Sequence, residues 1–398
     1  MTGSFDWTKA ISRRGTDAGK WRQLEAEYPD ATDLYPFSVA DNDMDVLPEI
    51  REALVEYSRT QVFGYSGIPD SFYAALADWL QTRHQWAIES DWVLTSTGVV
   101  TALFNSILAL TAPGEAIIVM EPVYPPFMGS VERTGRSLLN CPLLRQGLDY
   151  KIDFDLFEQQ AADPATRMLL LCSPHNPVGR VWTRDELERM DAICRQHDVI
   201  VLSDEIHADL ILPGYEHITW GRLGEAAARN AVICVAPSKT FNVAGFHTAA
   251  VIIPDPELRR RYTDWTKSIG TAGANRYGLV AAETAWRHGA VWLDEFLELI
   301  ASNHALVKDW FAANLPDVVV FPLEGTYLQW LDFTPVLGRL GLEPDGLDTW
   351  LREEAAFYMS DGQAFGSGGS GCMRLNIGCP QHILLAALER LGETARNA

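Results

Sequence analysis

Short apolar runs alternate with amphipathic stretches along the middle of the chain, from about residue 91 onward. The apolar runs are four to six residues long, which is typical of strands buried on both faces of a sheet. We predict such strands at residues 116–120, 168–172, 199–203 and 231–236. Repeated strand–helix alternation of this kind predicts a mostly parallel sheet with helices on both faces.

The stretches between these runs show the spacing and the end signals of helices. Val99, Leu103, Ile107 and Leu110 recur at helical spacing, and the Pro113-Gly114 pair follows them as a stop signal. Between the second and third runs, "TRDELERMDAICRQH" begins with Thr183 and carries Glu186 three positions later. This is the capping-box pattern of a helix start.

The pattern changes beyond about residue 290, where a long helical stretch is followed by "GTYLQWLDF" and "CMRLNIGC". Together with the N-terminal residues, this part predicts a smaller α+β domain. We expect an N-terminal segment at 1–48 that joins the small domain, a large domain at 49–290 and a small C-terminal domain at 291–398. The "GSGGSG" run at 366–371 is expected to form a tight loop rather than a flexible linker.

Composition excludes some classes of function. The chain has 398 residues, of which 47% are hydrophobic, and a net charge of −21. This charge disfavours nonspecific binding to nucleic acid or to anionic lipid. The six cysteines are scattered without zinc-site spacing, which indicates buried free thiols in a reducing compartment and no metal site. Since no long apolar run is present, we expect a cytoplasmic protein with no membrane partner.

Polar residues follow each of the four predicted strands, in "EPVYPPF", "SPHNPVGR", "DEIH" and "PSKTF". Ligands of such sheets gather at the carboxyl ends of the strands. A desolvated lysine such as Lys239 can form a Schiff base with the aldehyde of pyridoxal phosphate, and Asp204 offers the anion that the cofactor's ring nitrogen needs. "TSTGVV", before the first helix, offers backbone N–H groups to a phosphate, and Tyr124 offers a ring for stacking.

Five motifs carry a resemblance to a known family: "SDEIHADL", "SPHNPVGRVWT", "PSKTFNVAG", "EGTYLQWLD" and "RLNIGCP". They resemble the class I/II aminotransferase superfamily, which has fold type I of the pyridoxal-phosphate enzymes. The resemblance is strongest to the cystathionine β-lyase and C–S lyase branch, which includes the maltose regulon modulator proteins. It runs from "FDWTKAISRRGTDAGKW" to the C-terminal motifs and covers nearly the whole chain. It implies an α/β fold with a large cofactor-binding domain and a smaller α+β domain.

The resemblance also implies roles for residues around the cofactor ring. Lys239 is similar to the lysine that bonds to the cofactor and moves protons, and Asp204 to the partner of the pyridine nitrogen. Asn176 and His207 fall where the family places hydrogen-bonding groups near the phenolic oxygen. Tyr124 resembles the ring-stacking aromatic residue.

At the phosphate end, Val99 and Val100 resemble the residues that give backbone N–H bonds, and Ser238 resembles the one that adds a hydroxyl. Tyr65 resembles a tyrosine that reaches into the site of a partner subunit, which implies a homodimer with shared active sites. Many aminotransferases carry a phosphate-binding arginine eight positions after the lysine, whereas this chain has His247 there.

For the substrate, Arg374 resembles the clamp of the α-carboxylate, which suits a guanidinium because it can donate two parallel bonds. Ala40, Asn176 and Tyr124 are implied as further substrate contacts. In the lyase branch the segment around Ala40 commonly reads "WVADMDF", while here it reads "SVADNDM". The departure bears on substrate preference, because this segment borders the substrate site in the family.

Each of these residues also has a plain structural interpretation. Lys239 alone would be a solvated surface lysine, and Asn176 between prolines would shape a turn. His207 would be a core histidine, Tyr124 would only pack, and Arg374 would form a structural ion pair.

The function implied is a C–S β-lyase that cleaves L-cystathionine or related S-conjugates of cysteine to a thiol, pyruvate and ammonia. Transamination between an amino acid and a 2-oxo acid is the alternative, because the same deprotonated substrate can be reprotonated on the cofactor. A regulatory role through protein–protein contact, with lyase activity secondary, is a third interpretation.

Overall fold

The computed structural model describes residues 5–30 and 34–397. Its helices are α1 Gly19–Glu27, α2 Pro48–Thr60, α3 Asp70–His84, α4 Val99–Leu110, α5 Pro126–Arg133, α6 Phe154–Ala161, α7 Arg184–Gln196, α8 Glu225–Arg229, α9 Pro237–Thr240, α10 Pro256–Ser268, α11 Arg276–His288, α12 Ala290–Asn314, α13 Thr334–Leu337, α14 Leu347–Glu353 and α15 Gln381–Asn397. None of these helices is long and apolar enough to cross a membrane.

The strands of the described residues are β1 Tyr35–Pro36, β2 Val93–Ser96, β3 Ala116–Val119, β4 Ser137–Asn140, β5 Leu144–Gln146, β6 Asp149–Lys151, β7 Thr166–Cys172, β8 Ile200–Asp204, β9 Ala231–Val235, β10 Ala249–Ile252, β11 Val319–Val320, β12 Leu328–Asp332, β13 Phe357–Tyr358, β14 Ser360–Asp361 and β15 Cys372–Asn376.

A seven-stranded sheet with the order β2-β10-β9-β8-β7-β3-β4 forms the centre of the molecule. Strand β10 runs antiparallel to both of its neighbours, and the other pairs are parallel. The predicted α/β fold with a mostly parallel central sheet is therefore confirmed.

Both faces of the sheet are covered, which explains why its strands are apolar without interruption. Along β7, Leu169 and Leu171 contribute to one hydrophobic cluster, and Met168 and Leu170 contribute to the other. Successive side chains of a strand point to opposite faces, so a strand buried on both faces cannot alternate with polar residues.

The bounds of several strands in the structure differ from those predicted from the apolar runs of the sequence. Strand β7 begins two residues before the predicted run, and β8 ends at Asp204 rather than at Ser203. Met120 and Ala236 lie just outside β3 and β9. The predicted capping box of α7 is confirmed, since Thr183 and Glu186 exchange both bonds.

A second, antiparallel sheet with the order β11-β12-β15-β14 lies in the C-terminal part of the chain. Strand β1 of the N-terminal segment pairs with β13, and the Asn376 N–H donates to the Phe37 carbonyl. Residues 1–4 and 31–33 of the predicted 1–48 segment lie outside the described residues, and the predicted domain bounds stay a prediction.

The "GSGGSG" run forms a tight loop before β15, as predicted. Gly369 N–H donates to the Gly366 carbonyl, and Cys372 N–H donates to the Gly369 carbonyl. Gly366 has a positive φ of 92°, and a Cβ there would lie 2.4 Å from a carboxylate oxygen of Glu121. A glycine is therefore required at this turn by both conformation and space.

Candidate active site

The predicted polar residues meet at one edge of the central sheet because the strands that carry them are neighbours. Asp204 at the end of β8 pairs in register with Cys172 of β7 on one side and Cys234 of β9 on the other. Asn176 follows β7 and Lys239 follows β9 within a few residues. The parallel register thus brings the three side chains to the same end of the sheet.

A cavity of about 520 Å³ opens at this edge. Ten of the eleven residues predicted for the site contribute to its lining, and Tyr65 is the exception. The ten are Ala40, Val99, Val100, Tyr124, Asn176, Asp204, His207, Ser238, Lys239 and Arg374.

Lys239 lies on the short helix α9 and is half-buried. Its Nζ donates a hydrogen bond of 2.7 Å to the carbonyl oxygen of Ala40. Burial lowers the pKa of Lys239 to about 8, the Arg374 charge acts in the same direction, and the carboxylates of Asp41 and Asp204 oppose them. The amine is therefore available in its neutral, nucleophilic form much more readily than an exposed lysine.

Asp204 is buried on the same cavity, and the Ile206 backbone N–H donates to its Oδ1 over 3.1 Å. Burial raises the pKa of Asp204 to about 7, while the Ile206 bond and the Lys239 charge lower it. No basic side chain of the described residues forms an ion pair with this carboxylate. A buried carboxylate without an ion-pair partner favours a cationic ligand that donates a hydrogen bond to it.

Arg374 lies on β15, directly opposite Ser360 of β14. Its Nη1 donates to Asn176 Oδ1 over 2.9 Å, and its Nη2 donates to Ser360 Oγ over 3.3 Å. Its Nε is buried without a hydrogen-bond partner, and no carboxylate of the described ranges forms an ion pair with it. Burial lowers the pKa of Arg374 to about 10. The structural ion pair considered for Arg374 is therefore absent there, and the guanidinium is free to bind an anion.

His207, Asn176 and Tyr124 complete the wall between Asp204 and Arg374. The Nδ1 atom of His207 is buried without a hydrogen-bond partner. Burial lowers the pKa of His207 to about 3, and the charges of Lys239 and Arg374 act in the same direction, so the ring is neutral. Tyr124 lies beside Asn176, since its backbone N–H donates to the Asn176 carbonyl over 3.0 Å.

The first turn of α4 forms the opposite end of the cavity. Gly98 precedes Val99 with a φ of 108°, a conformation that side chains rarely adopt, and the helix begins directly after it. The first N–H groups of a helix have no partner within the helix and attract anions. Ser238 and His247 line the cavity together with this helix start.

Tyr65 lies apart from the cavity of its own chain. Its side chain is fully exposed, and Val62 and Phe63 beside it are exposed as well. The structure therefore does not bring Tyr65 together with the other predicted residues within one chain.

Several cavity residues were not found by sequence reasoning, among them Val39, Thr101, Cys172, Ile206, Ala244 and Ser360. Ser360 is the most informative, because it bonds to Arg374. Its position follows from strand pairing between β14 and β15, which two-residue strands do not signal in a sequence.

The cavity residues fit pyridoxal phosphate. The Lys239 amine with its lowered pKa suits an aldehyde, and the buried Asp204 carboxylate without an ion-pair partner suits a protonated ring nitrogen. The helix start suits a phosphate, and the unpartnered Nε of Arg374 suits a carboxylate. No group of three or more His, Cys, Asp or Glu side chains within 5–30 and 34–397 is arranged to hold a metal ion.

Comparisons with known proteins agree with this geometry. The family model described as aminotransferase class I and II matches residues 32–391. The chain is 37% identical to cystathionine beta-lyase PatB of Bacillus subtilis over 97% of this chain and 99% of that protein. It is 33% identical to protein MalY of Escherichia coli over 96% of each.

Among solved structures, cystalysin from Treponema denticola, which contains a pyridoxal 5′-phosphate cofactor, superposes with a TM-score of 0.96. It is 36% identical in sequence, and the match covers 99% of each chain.

Proposed function

The chain belongs to the aminotransferase class I and II family, and from this membership we propose that it is a pyridoxal-phosphate-dependent C–S β-lyase. It cleaves L-cystathionine or a related S-conjugate of cysteine by α,β-elimination of a thiol, and one water then hydrolyses the remaining aminoacrylate to pyruvate and ammonia. The observation that carries the proposal is one cavity that holds a lysine with a lowered pKa, a buried carboxylate without an ion-pair partner and a buried arginine with an unpartnered Nε. The full-length relatives named as cystathionine beta-lyases support the choice of reaction.

Five groups of residues would hold the cofactor. Lys239 would bond to the aldehyde carbon, Asp204 would pair with the ring nitrogen, and the first turn of α4 with Ser238 would bind the phosphate. Tyr124 would stack on the ring, while Asn176 and His207 would provide hydrogen bonds beside it. When bound, pyridoxal phosphate supplies an electron sink that makes the Cα proton of an attached amino acid acidic.

Lys239 acts as the general base and then as the general acid. Its neutral Nζ accepts the Cα proton of the substrate, and its low pKa in this cavity keeps that form accessible near neutral pH. The electron pair left at Cα forms the Cα–Cβ double bond, and the Cβ–S bond breaks. The Lys239 ammonium then donates its proton to the departing sulfur, so the proton balance of the elimination closes on one residue.

Arg374 orients the substrate by binding its α-carboxylate. Its fixed position over the Phe365 ring, 4.8 Å from the ring centroid, and its bonds to Asn176 and Ser360 restrict its movement. Ala40 contributes through its backbone, because its carbonyl oxygen accepts a hydrogen bond from the Lys239 amine once the amine is free.

We further propose a homodimer in which Tyr65 of each subunit completes the site of the other. Val62, Phe63 and Tyr65 are exposed together on one segment. Large apolar side chains exposed in a cluster mark an interaction surface. In the dimer, the Tyr65 hydroxyl donates to the cofactor phosphate of the partner's site.

The proposed location is the cytoplasm. All six cysteines are buried free thiols, and burial raises the pKa of Cys141, Cys172, Cys194, Cys234, Cys372 and Cys379. The support is that cysteines of this kind are usual where thiols stay reduced.

The test is an assay of the cofactor-loaded protein with L-cystathionine and no added 2-oxo acid. The proposal expects sustained release of pyruvate and thiol in equal amounts, and none from Lys239→Ala. If pyruvate is not released while the amino group passes to an added 2-oxo acid, the enzyme is an aminotransferase and the lyase proposal is wrong.

A further inference from the structure

A carboxylate whose side chain is only 9% exposed, Asp209, lies behind the cavity wall, on the same segment as Asp204 and His207. Asp209 accepts hydrogen bonds from Trp79 Nε1 at 3.0 Å and from Thr240 Oγ1 at 2.8 Å, and the His84 Nε2 atom lies 2.7 Å from its Oδ1. We call these four residues, Trp79, His84, Asp209 and Thr240, the Asp209 cluster. None of them lines the cavity of the active site.

Thr240 connects this cluster to the catalytic lysine. It is the residue after Lys239 and is fully buried on α9, a helix of only four residues. So short a helix has little stability of its own, because its few hydrogen bonds do not offset the loss of backbone entropy on forming the first turn. The orientation of Lys239 therefore depends on the contacts that hold this turn to the rest of the protein.

The attachment runs to the segment that carries Asp204. Asp209 follows Asp204 by five positions, and Ala208 N–H and Leu210 N–H donate to the carbonyls of Glu205 and His207 between them. One rigid segment thus holds the partner of the ring nitrogen at one end and the acceptor for Thr240 at the other. The Thr240–Asp209 bond links helix α9, which carries Lys239, to the segment that carries Asp204. These two elements must contact opposite ends of the cofactor ring.

The charge state of Asp209 strengthens this link. Burial alone would raise the pKa of Asp209, but the hydrogen bonds and charge of His84 and the bonds from Thr240 and Trp79 lower it below its ordinary value. The carboxylate is therefore ionised at neutral pH, and its hydrogen bond with Thr240 is charge-assisted.

We propose that Asp209 and Thr240 are positioning residues that fix the Lys239 amine relative to Asp204, so that both reach the same cofactor ring. This inference rests on the proposed use of pyridoxal phosphate. When the cofactor is captured, the Lys239 nitrogen forms a C=N bond to the aldehyde carbon, and the aldehyde oxygen leaves as water with the two amine protons. A displacement of about 1 Å at such a centre can cost about 100-fold in rate.

The experiment compares Thr240→Val with Thr240→Ser in the full-length protein. Valine keeps the shape and removes the hydroxyl, while serine keeps the hydroxyl and removes the methyl group. The rate of imine formation is followed by visible absorbance after pyridoxal phosphate is mixed with cofactor-free protein. The turnover number per bound cofactor is measured as well.

We expect imine formation and turnover to fall about tenfold or more in Thr240→Val and to stay within about twofold of wild type in Thr240→Ser. Noncovalent binding of pyridoxal phosphate, measured by protein fluorescence in a Lys239→Ala background, should stay within about twofold when Thr240→Val is added. The proposal is overturned if Thr240→Val captures the cofactor at the wild-type rate, or if Thr240→Ser is as slow as Thr240→Val.

Trp79→Phe provides a second variant on a different helix, so the test does not depend on Thr240 alone. Phenylalanine keeps the packing against Phe241 and removes one donor to Asp209. If both changes act through Asp209, their effects on capture are not additive in the double variant. Strict additivity contradicts the cluster as one unit. A wild-type protein that captures no cofactor refutes the proposed function itself, and the positioning role falls with it.

Discussion

Replacing Asp204 by asparagine should make the cofactor-free protein more stable, although this residue is essential for the proposed chemistry. In the structure, burial raises the pKa of Asp204 from an ordinary 3.8 to about 7. The folded chain therefore binds more protons than the unfolded chain between these two pH values. Its free energy of unfolding must fall as the pH rises through this window.

The size of the effect follows from the same two values. A pKa rise from 3.8 to about 7 corresponds to about 4 kcal/mol of stability lost once the pH exceeds both. Asparagine has the same shape and no charge to desolvate. The stability advantage of Asp204→Asn should grow from near zero at pH 4 toward this value at pH 8.

The assay is urea unfolding of the cofactor-free protein, followed by tryptophan fluorescence at a series of pH values. Asp78→Asn, on the exposed face of α3, is the matched control and should show no such growth. Saturation with pyridoxal phosphate should reverse the order, because only the carboxylate pairs with the protonated ring. A stability difference that is constant from pH 4 to pH 8 would contradict the raised pKa of Asp204, as would a cofactor-free wild type more stable than the variant at pH 8.

Three further predictions concern the amine, the carboxylate clamp and the dimer. In stopped-flow absorbance, the rate of cofactor capture by Lys239 should increase with pH up to about 8 and then level off. The reason is that burial lowers the pKa of Lys239 and only the neutral amine attacks the aldehyde. A capture rate that does not change between pH 6 and pH 8 would contradict this. Arg374→Lys should raise KM for L-cystathionine by about tenfold or more, with a smaller change in kcat, because an ammonium cannot form the two parallel bonds; an unchanged KM in steady-state assays would remove Arg374 from the clamp. Tyr65→Phe should speed cofactor loss in dialysis about fivefold, because one hydrogen bond to the phosphate is removed. Dissociation of the dimer should also speed cofactor loss. Equal cofactor retention by wild type and variant would contradict the shared site.

Much of the sheet could be predicted from the sequence because its central strands are buried on both faces. The runs at β3, β7, β8 and β9 are continuous and apolar, so their carboxyl ends could be located within one or two residues. Strand β4 was missed because it is a half-exposed edge strand. Strand β10 was missed although its four residues are all buried.

The candidate site also contains some residues that could be predicted from the sequence and others that could not. Asp204 and Lys239 could be found because each is a charged residue within a few positions of the end of a buried apolar run. Arg374 depended on the resemblance to a family, since nothing local distinguishes an arginine on an antiparallel strand. The Asp209 cluster could not be found, because Trp79 and His84 lie 130 and 125 positions from Asp209 in the chain. Such contacts exist only once the helices have packed on the sheet.

The residue to which the cofactor is attached can be identified chemically. Purified protein is saturated with pyridoxal phosphate, reduced with borohydride, digested and mapped by mass spectrometry. We expect the peptide that contains Lys239 to carry the reduced cofactor. Label on the peptide of Lys20, which is more deeply buried than Lys239, or a protein that carries no label, would contradict the assignment of Lys239.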